Sequence, residues 1–165
     1  MAWADPRRIV ISVRAECCGQ RKALVFSARG MERSMERYYA VAIVTLLCSL
    51  TIFGMSFTVA MTHKKTGILA PTMTGDPRLE QAIRAHSNTL EWLPIFLPSM
   101  WLFAIYGSPA WAAALGLVWL IGRIAYFVGY LSAPLRRYPG FFIQATAVLV
   151  LLFGALGRIA YLWFA

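Results

Sequence analysis

Four long apolar runs, at residues 38–61, 92–106, 110–131 and 141–165, contain only two charged side chains, Arg123 and Arg158. A helix rising 1.5 Å per residue crosses a hydrocarbon core of roughly 30 Å in about 20 residues, and it satisfies its own backbone N–H and C=O groups without water. The chain therefore reads as an all-α integral membrane protein, a four-transmembrane-helix bundle with spans at about 38–61, 77–107, 110–132 and 140–163. Its hydrophobic content of 59% exceeds the roughly 45–50% of soluble domains.

The second span is the unusual one. Residues 77–107 would extend roughly 46 Å as a helix, yet only the C-terminal half is lipid-grade. Its first half carries Arg84, Asn88 and Glu91 at i, i+4 and i+7, which fall in one narrow stripe that Gln81 joins. Arg84 and Glu91 are about 10 Å apart along the axis, too far for an easy bridge, so each needs another partner. An ionised group at the bilayer centre costs roughly 2.5–3.5 kcal/mol on insertion scales, which points the stripe toward a ligand or a second subunit. Pro77 suits the first turn of this helix, whereas Pro94 and Pro98 remove backbone donors inside it and predict a kink.

The turn Gly107-Ser108-Pro109 forces spans two and three into an antiparallel hairpin. Arg123, Tyr126 and Tyr130 share a face of span three, which should stop near Pro134 before the loop holding Arg136 and Arg137. The loops after spans one and three hold Lys64, Lys65, Arg78, Arg84, Arg136 and Arg137, while the middle turn holds no charge. The positive-inside rule then places both basic loops in the cytoplasm, in a bacterial inner membrane or a microsomal membrane. Residues 1–34 conflict with that orientation. They lack a signal-peptide core, and Met31 and Met35 offer alternative starts, so 1–34 read as a poorly ordered or added extension before a membrane domain at 35–165.

The net charge of +9 is spread along the chain. Such a spread fits orientation and contact with anionic membrane lipid rather than nucleic acid. Cys17, Cys18 and Cys48 have no metal-ligand spacing, so neither a metal site nor a disulfide framework is expected. His86 points away from the polar stripe and reads as a packing histidine, and His63 and Arg158 read as snorkelling residues at span ends.

Lys64, Lys65, Arg84, Asn88, Glu91, Tyr126, Tyr130, Arg136 and Arg137 thus gather at one end of the spans. Several cations, a carboxylate, an amide and two phenols suit a small zwitterion with extra acidic groups. The tyrosines taken alone also fit interfacial aromatics. The run Arg84-Ala85-His86-Ser87-Asn88 followed by Glu91 and Pro94, together with residues 123–130 and Arg137 seven positions later, resembles the MAPEG family of membrane-associated proteins in eicosanoid and glutathione metabolism.

The resemblance implies a homotrimer binding glutathione as co-substrate between subunits, with a hydrophobic electrophile or lipid hydroperoxide as the second substrate. It implies that Arg84, Asn88, Glu91, Tyr126 and Tyr130 contact glutathione and that Arg137 stabilises its thiolate. Lys64 falls where leukotriene-forming relatives have an arginine and is the second catalytic candidate. From the residues alone, Arg123 reads as a structural ion pair between helices, with Glu91 a candidate partner, and direct ligand contact is the alternative. Trp92 stands where leukotriene-forming members have tyrosine, and Lys64-Lys65 replaces an arginine pair, which shifts the expectation toward a detoxifying transferase or peroxidase. A non-catalytic lipid-binding member and a small four-span exporter that uses Glu91 remain the alternatives.

Overall fold

The computed structural model describes residues 35–165, so the expectation for 1–34, including Cys17 and Cys18, lies outside the described residues. Four long helices account for nearly all of the rest: α1 (Tyr39–Thr66), α2 (Pro77–Tyr106), α3 (Pro109–Ser132) and α4 (Tyr138–Phe164), with a short 3-10 turn at Pro134–Arg137 before α4. Each of the four regions is long and apolar enough to cross a membrane.

The first helix outlasts its apolar run, continuing past residue 61 to Thr66. Three threonines on one face explain the extension in part. Thr58, Thr62 and Thr66 each donate their hydroxyl to the carbonyl four residues back, at 2.9, 2.8 and 3.0 Å, which internalises their polarity. Lys64 and Lys65 thereby ride on the last turn, where cations complement the helix dipole. His63 is more than a snorkelling residue, because its Nδ1 lies 2.8 Å from the Ile68 carbonyl and fastens the chain leaving the helix.

Asp76 starts α2 by accepting the Arg78 and Leu79 amides at 2.8 and 3.4 Å, and Pro77 occupies the position where a missing N–H is harmless. The helix then runs unbroken through Pro94 and Pro98 to Tyr106. At its far end the Arg158 guanidinium donates from Nε to the Tyr106 carbonyl at 3.2 Å, placing a cation at a helix C-terminus.

The third helix is the most enclosed and the first the least, so large apolar side chains such as Leu46, Leu50, Phe53 and Phe57 of α1 are exposed on the single chain. The core fills with Val41, Cys48, Phe96, Met100, Trp119, Val148 and Leu151, and Phe96 stacks on Trp119 at 3.9 Å between ring centroids. Cys48 is a buried free thiol packed as a small hydrophobe. A smaller cluster of Met55, Ala85, Tyr126 and Phe127 lies toward the polar end.

Glycines set the approach of α4 and of the turn before it to α3, Gly122 among them, where a Cβ would meet the Gln144 amide nitrogen at 2.8 Å. A Cβ on Gly140 would collide with the backbone of Tyr126, and one on Gly129 would collide with the Arg136 carbonyl, so the turn after α3 folds directly back on it. That closeness carries Arg137 to the end of α3 beside Tyr130. Gly140→Ala is accordingly expected to lower the thermal midpoint, with an overpacking cost of about 1–3 kcal/mol, although alanine is the better helix former by about 1 kcal/mol. Gly157→Ala, which meets open space, is the matched control and should not melt earlier. Equal melting of the two variants would refute the tight crossing.

Candidate functional site

The stripe on α2 does meet a partner surface, because it forms one wall of a cavity of about 530 Å³ at the polar end of the bundle. Glu80, Arg84, Ser87, Asn88 and Glu91 line it from α2, Tyr126 and Tyr130 from α3, Arg137 from the 3-10 turn, and Met73 and Thr74 from the loop before α2. That loop is tied down where the Gly75 amide donates to Glu80 Oε1 at 3.2 Å.

Six of the residues expected from sequence therefore share one cavity: Arg84, Asn88, Glu91, Tyr126, Tyr130 and Arg137. The Tyr126 and Tyr130 rings stack at 5.9 Å, as one turn of helix dictates, and the Arg137 guanidinium lies 5.0 Å from the Tyr130 ring centre. Arg84 and Glu91 are exposed on the wall, so their charges are available to a ligand. Cations at two positions and carboxylates at two others make the lining two-signed.

Lys64 is elsewhere. It is exposed on the last turn of α1 and does not line the cavity of a single chain. Gln81, which helical phase groups with the stripe, is half-buried and also outside the lining.

The Arg123 pairing differs from expectation as well. Its Nη1 and Nη2 donate to Asn88 Oδ1 at 3.2 Å and to the Asn88 main-chain oxygen at 2.8 Å, so its direct partner is Asn88 rather than Glu91. Asn88 offers two acceptors facing the bundle interior, whereas the Glu91 carboxylate stays exposed and accepts from Asn88 Nδ2 at 3.4 Å. His86 packs as expected, with its Nε2 2.9 Å from Ser56 Oγ on α1.

Sequence reasoning missed Glu80 and Ser87 although a signal existed, since both continue the helical spacing of Arg84 and Glu91. Nothing in the local pattern singles out Met73 or Thr74, which reach the cavity through the course of a loop. A second, narrower cavity of about 180 Å³ is lined almost wholly by apolar groups, with Pro94, Ile95, Pro98 and Leu102 on α2 facing Leu152, Leu156 and Ile159 on α4. By helical phase Ile95, Pro98 and Leu102 continue the sector of Arg84 and Glu91 toward the other end of α2. Among the described residues no cluster of His, Cys, Asp and Glu is arranged to hold a metal ion.

Membrane-spanning helices around a two-signed cavity at one end define a multi-pass membrane protein with a charged recess beside the lipid. Residues 41–157 match the MAPEG family, and the chain belongs to it. It is 40% identical over 122 residues to an uncharacterised protein of Synechocystis sp., covering 74% of this chain and 88% of that one. It is 35% identical over 119 residues to human microsomal glutathione S-transferase 2 (72% and 79%) and 33% identical over 125 residues to bovine leukotriene C4 synthase (72% and 83%).

Proposed function

We propose that the chain is a membrane-bound glutathione transferase with peroxidase capacity, which activates the glutathione thiolate for attack on a hydrophobic electrophile or a lipid hydroperoxide. The observation that carries this reading is the convergence of Arg84, Asn88 and Glu91 with Tyr126, Tyr130 and Arg137 on one cavity, from segments far apart in sequence. Glutathione carries two carboxylates, an ammonium and a thiol. Arg84 and the Asn88 amide offer donors to carboxylates, and Glu91 offers an acceptor to the ammonium.

Free thiols ionise near pH 8.5, and only the thiolate is a good nucleophile. Arg137 supplies a permanent positive charge at the end of the cavity. Lowering the thiol pKa by two units takes roughly 2.7 kcal/mol of preference for the anion. In conjugation the sulfur forms a bond to carbon while chloride departs, or while an epoxide oxygen leaves and takes a proton. In peroxidase turnover the sulfur attacks the terminal peroxide oxygen, the O–O bond breaks and the leaving alkoxide takes a proton and departs as alcohol; a second glutathione thiol then displaces water from the sulfenic acid to yield the disulfide. The apolar cavity along α2 offers a lipid-borne second substrate a binding surface on the same sector of that helix.

Lys64 enters this reading from a neighbouring chain. In a homotrimer the last turn of one α1 would face the next subunit's cavity, with the sites at the cytoplasmic ends of the bundle. The full chain in detergent, assayed for glutathione binding, for conjugation to a chlorinated nitroaromatic and for reduction of a lipid hydroperoxide, tests the proposal. Binding with turnover in either assay is expected. Binding without turnover would make the chain a non-catalytic ligand-binding member, and absence of glutathione binding would remove the reading altogether.

A further inference from the structure

Arg123 is fully buried, at 0% exposure, directly behind the cavity wall. Both of its hydrogen bonds go to one residue, Asn88, through the side-chain oxygen at 3.2 Å and the main-chain oxygen at 2.8 Å. Its Nε has no hydrogen-bond partner, and the guanidinium lies against aromatic rings, 4.9 Å from the Tyr126 ring centre and 5.7 Å from that of Trp119. Burying a cation against neutral acceptors and rings is costlier than filling the same space with an aliphatic side chain, so packing alone is a poor account of it.

The bonds have a definite consequence for the site. A guanidinium donates only, so it fixes which end of the Asn88 amide it faces. With Oδ1 turned inward to Arg123, the NH2 group must point outward, and Nδ2 does lie 3.4 Å from Glu91 Oε2 at the cavity wall. An amide released from Arg123 could turn its oxygen toward the ligand, and that oxygen repels a carboxylate.

We propose that Arg123 is a positioning residue of the glutathione site. It holds Asn88 as a hydrogen-bond donor toward the cavity, and the stacking on Tyr126 and Trp119 holds Arg123 itself in place. It makes no contact with the ligand. The inference rests on the glutathione reading above and names a residue through which that site is kept in its binding geometry.

The test is a cycle on the full chain in detergent: wild type, Arg123→Met, Asn88→Ala and the double variant, with Arg123→Lys alongside. Loss of one oriented hydrogen bond to a charged group is expected to raise KM for glutathione about tenfold in Arg123→Met. Turnover at saturating glutathione should stay within about twofold, because the sulfur end of the site is untouched, and the pH profile should not move. In the Asn88→Ala background the same replacement should add no further rise, since the residue it acts through is gone. Arg123→Lys keeps the charge without the fork and should recover only part of the affinity.

Multiplying losses in the two backgrounds, or a fall in kcat at unchanged KM, would overturn the proposal. Where Arg123→Met does not fold, Arg123→Lys carries the same comparison, and its KM rise must vanish when Asn88 is alanine. A wild type that binds no glutathione would instead remove the functional reading. Thermal unfolding of the same proteins then decides the Arg123–Asn88 link alone, with non-additive losses supporting it and additive losses refuting it.

Discussion

Arg137→Ala is expected to cut glutathione-dependent turnover at neutral pH by about 25-fold through ionisation alone, on the premise that the site lowers the thiol pKa from about 8.5 to about 6.5. Under that premise roughly three-quarters of bound glutathione is thiolate at pH 7 in the wild type. Returning the pKa to its free value leaves only a few per cent. The direction follows from the sign of the charge: a fixed cation stabilises the anion and lowers the pKa, so removing it raises the pKa and moves the rising limb of the rate profile to higher pH. The loss should therefore shrink as pH rises and nearly vanish above about pH 9.5, where thiolate predominates in both proteins.

Glutathione affinity should change far less than turnover, because Arg84, Asn88 and Glu91 remain on the opposite wall of the cavity. Arg137→Lys separates charge from geometry. A lysine keeps the positive charge but loses the planar guanidinium stacked 5.0 Å from Tyr130, so partial recovery at neutral pH is expected. A deficit that stays constant from pH 6 to pH 10 would assign Arg137 to binding or structure instead.

The membrane architecture was legible because it depends on run length. A stretch of apolar residues long enough to cross lipid has few soluble alternatives, and α2, α3 and α4 lie within two residues of the expected spans. The helix α1 continues beyond its apolar run to Thr66, where the hydroxyls of Thr62 and Thr66 fold back onto helix carbonyls, a contact that run length does not encode. The wall of the cavity on α2 was legible by helical phase, since Arg84, Asn88 and Glu91 must share a face wherever the helix packs.

Cross-helix partners were not legible in the same way. Charge alone pairs Arg123 with Glu91, yet the guanidinium donates to Asn88, which offers it two acceptors. Periodicity along one helix carries no information about the height of its neighbour. The arrival of Arg137 at Tyr130 likewise depends on the close crossing at Gly129 and Gly140, which no pattern local to Arg137 encodes.

Glu91→Gln is the second large effect, and it should appear in binding rather than in chemistry. The carboxylate is exposed on the cavity wall and is held by a neutral donor, Asn88 Nδ2 at 3.4 Å, so its charge is not consumed within the protein. A ligand ammonium opposite it would gain a charge-assisted hydrogen bond, whose loss corresponds to roughly 10- to 150-fold weaker glutathione binding. Glutamine is nearly isosteric, and its amide oxygen can still accept from Asn88, so the wall keeps its shape and the chain should melt at the wild-type temperature. With Arg137 intact, kcat at saturating glutathione should remain near wild type and only KM should rise. Added salt should weaken the wild type more than the variant, because screening acts on the charge that the variant lacks. An unchanged KM would remove the ammonium contact from Glu91, and a loss of folded protein would reassign the side chain to the structure of the bundle.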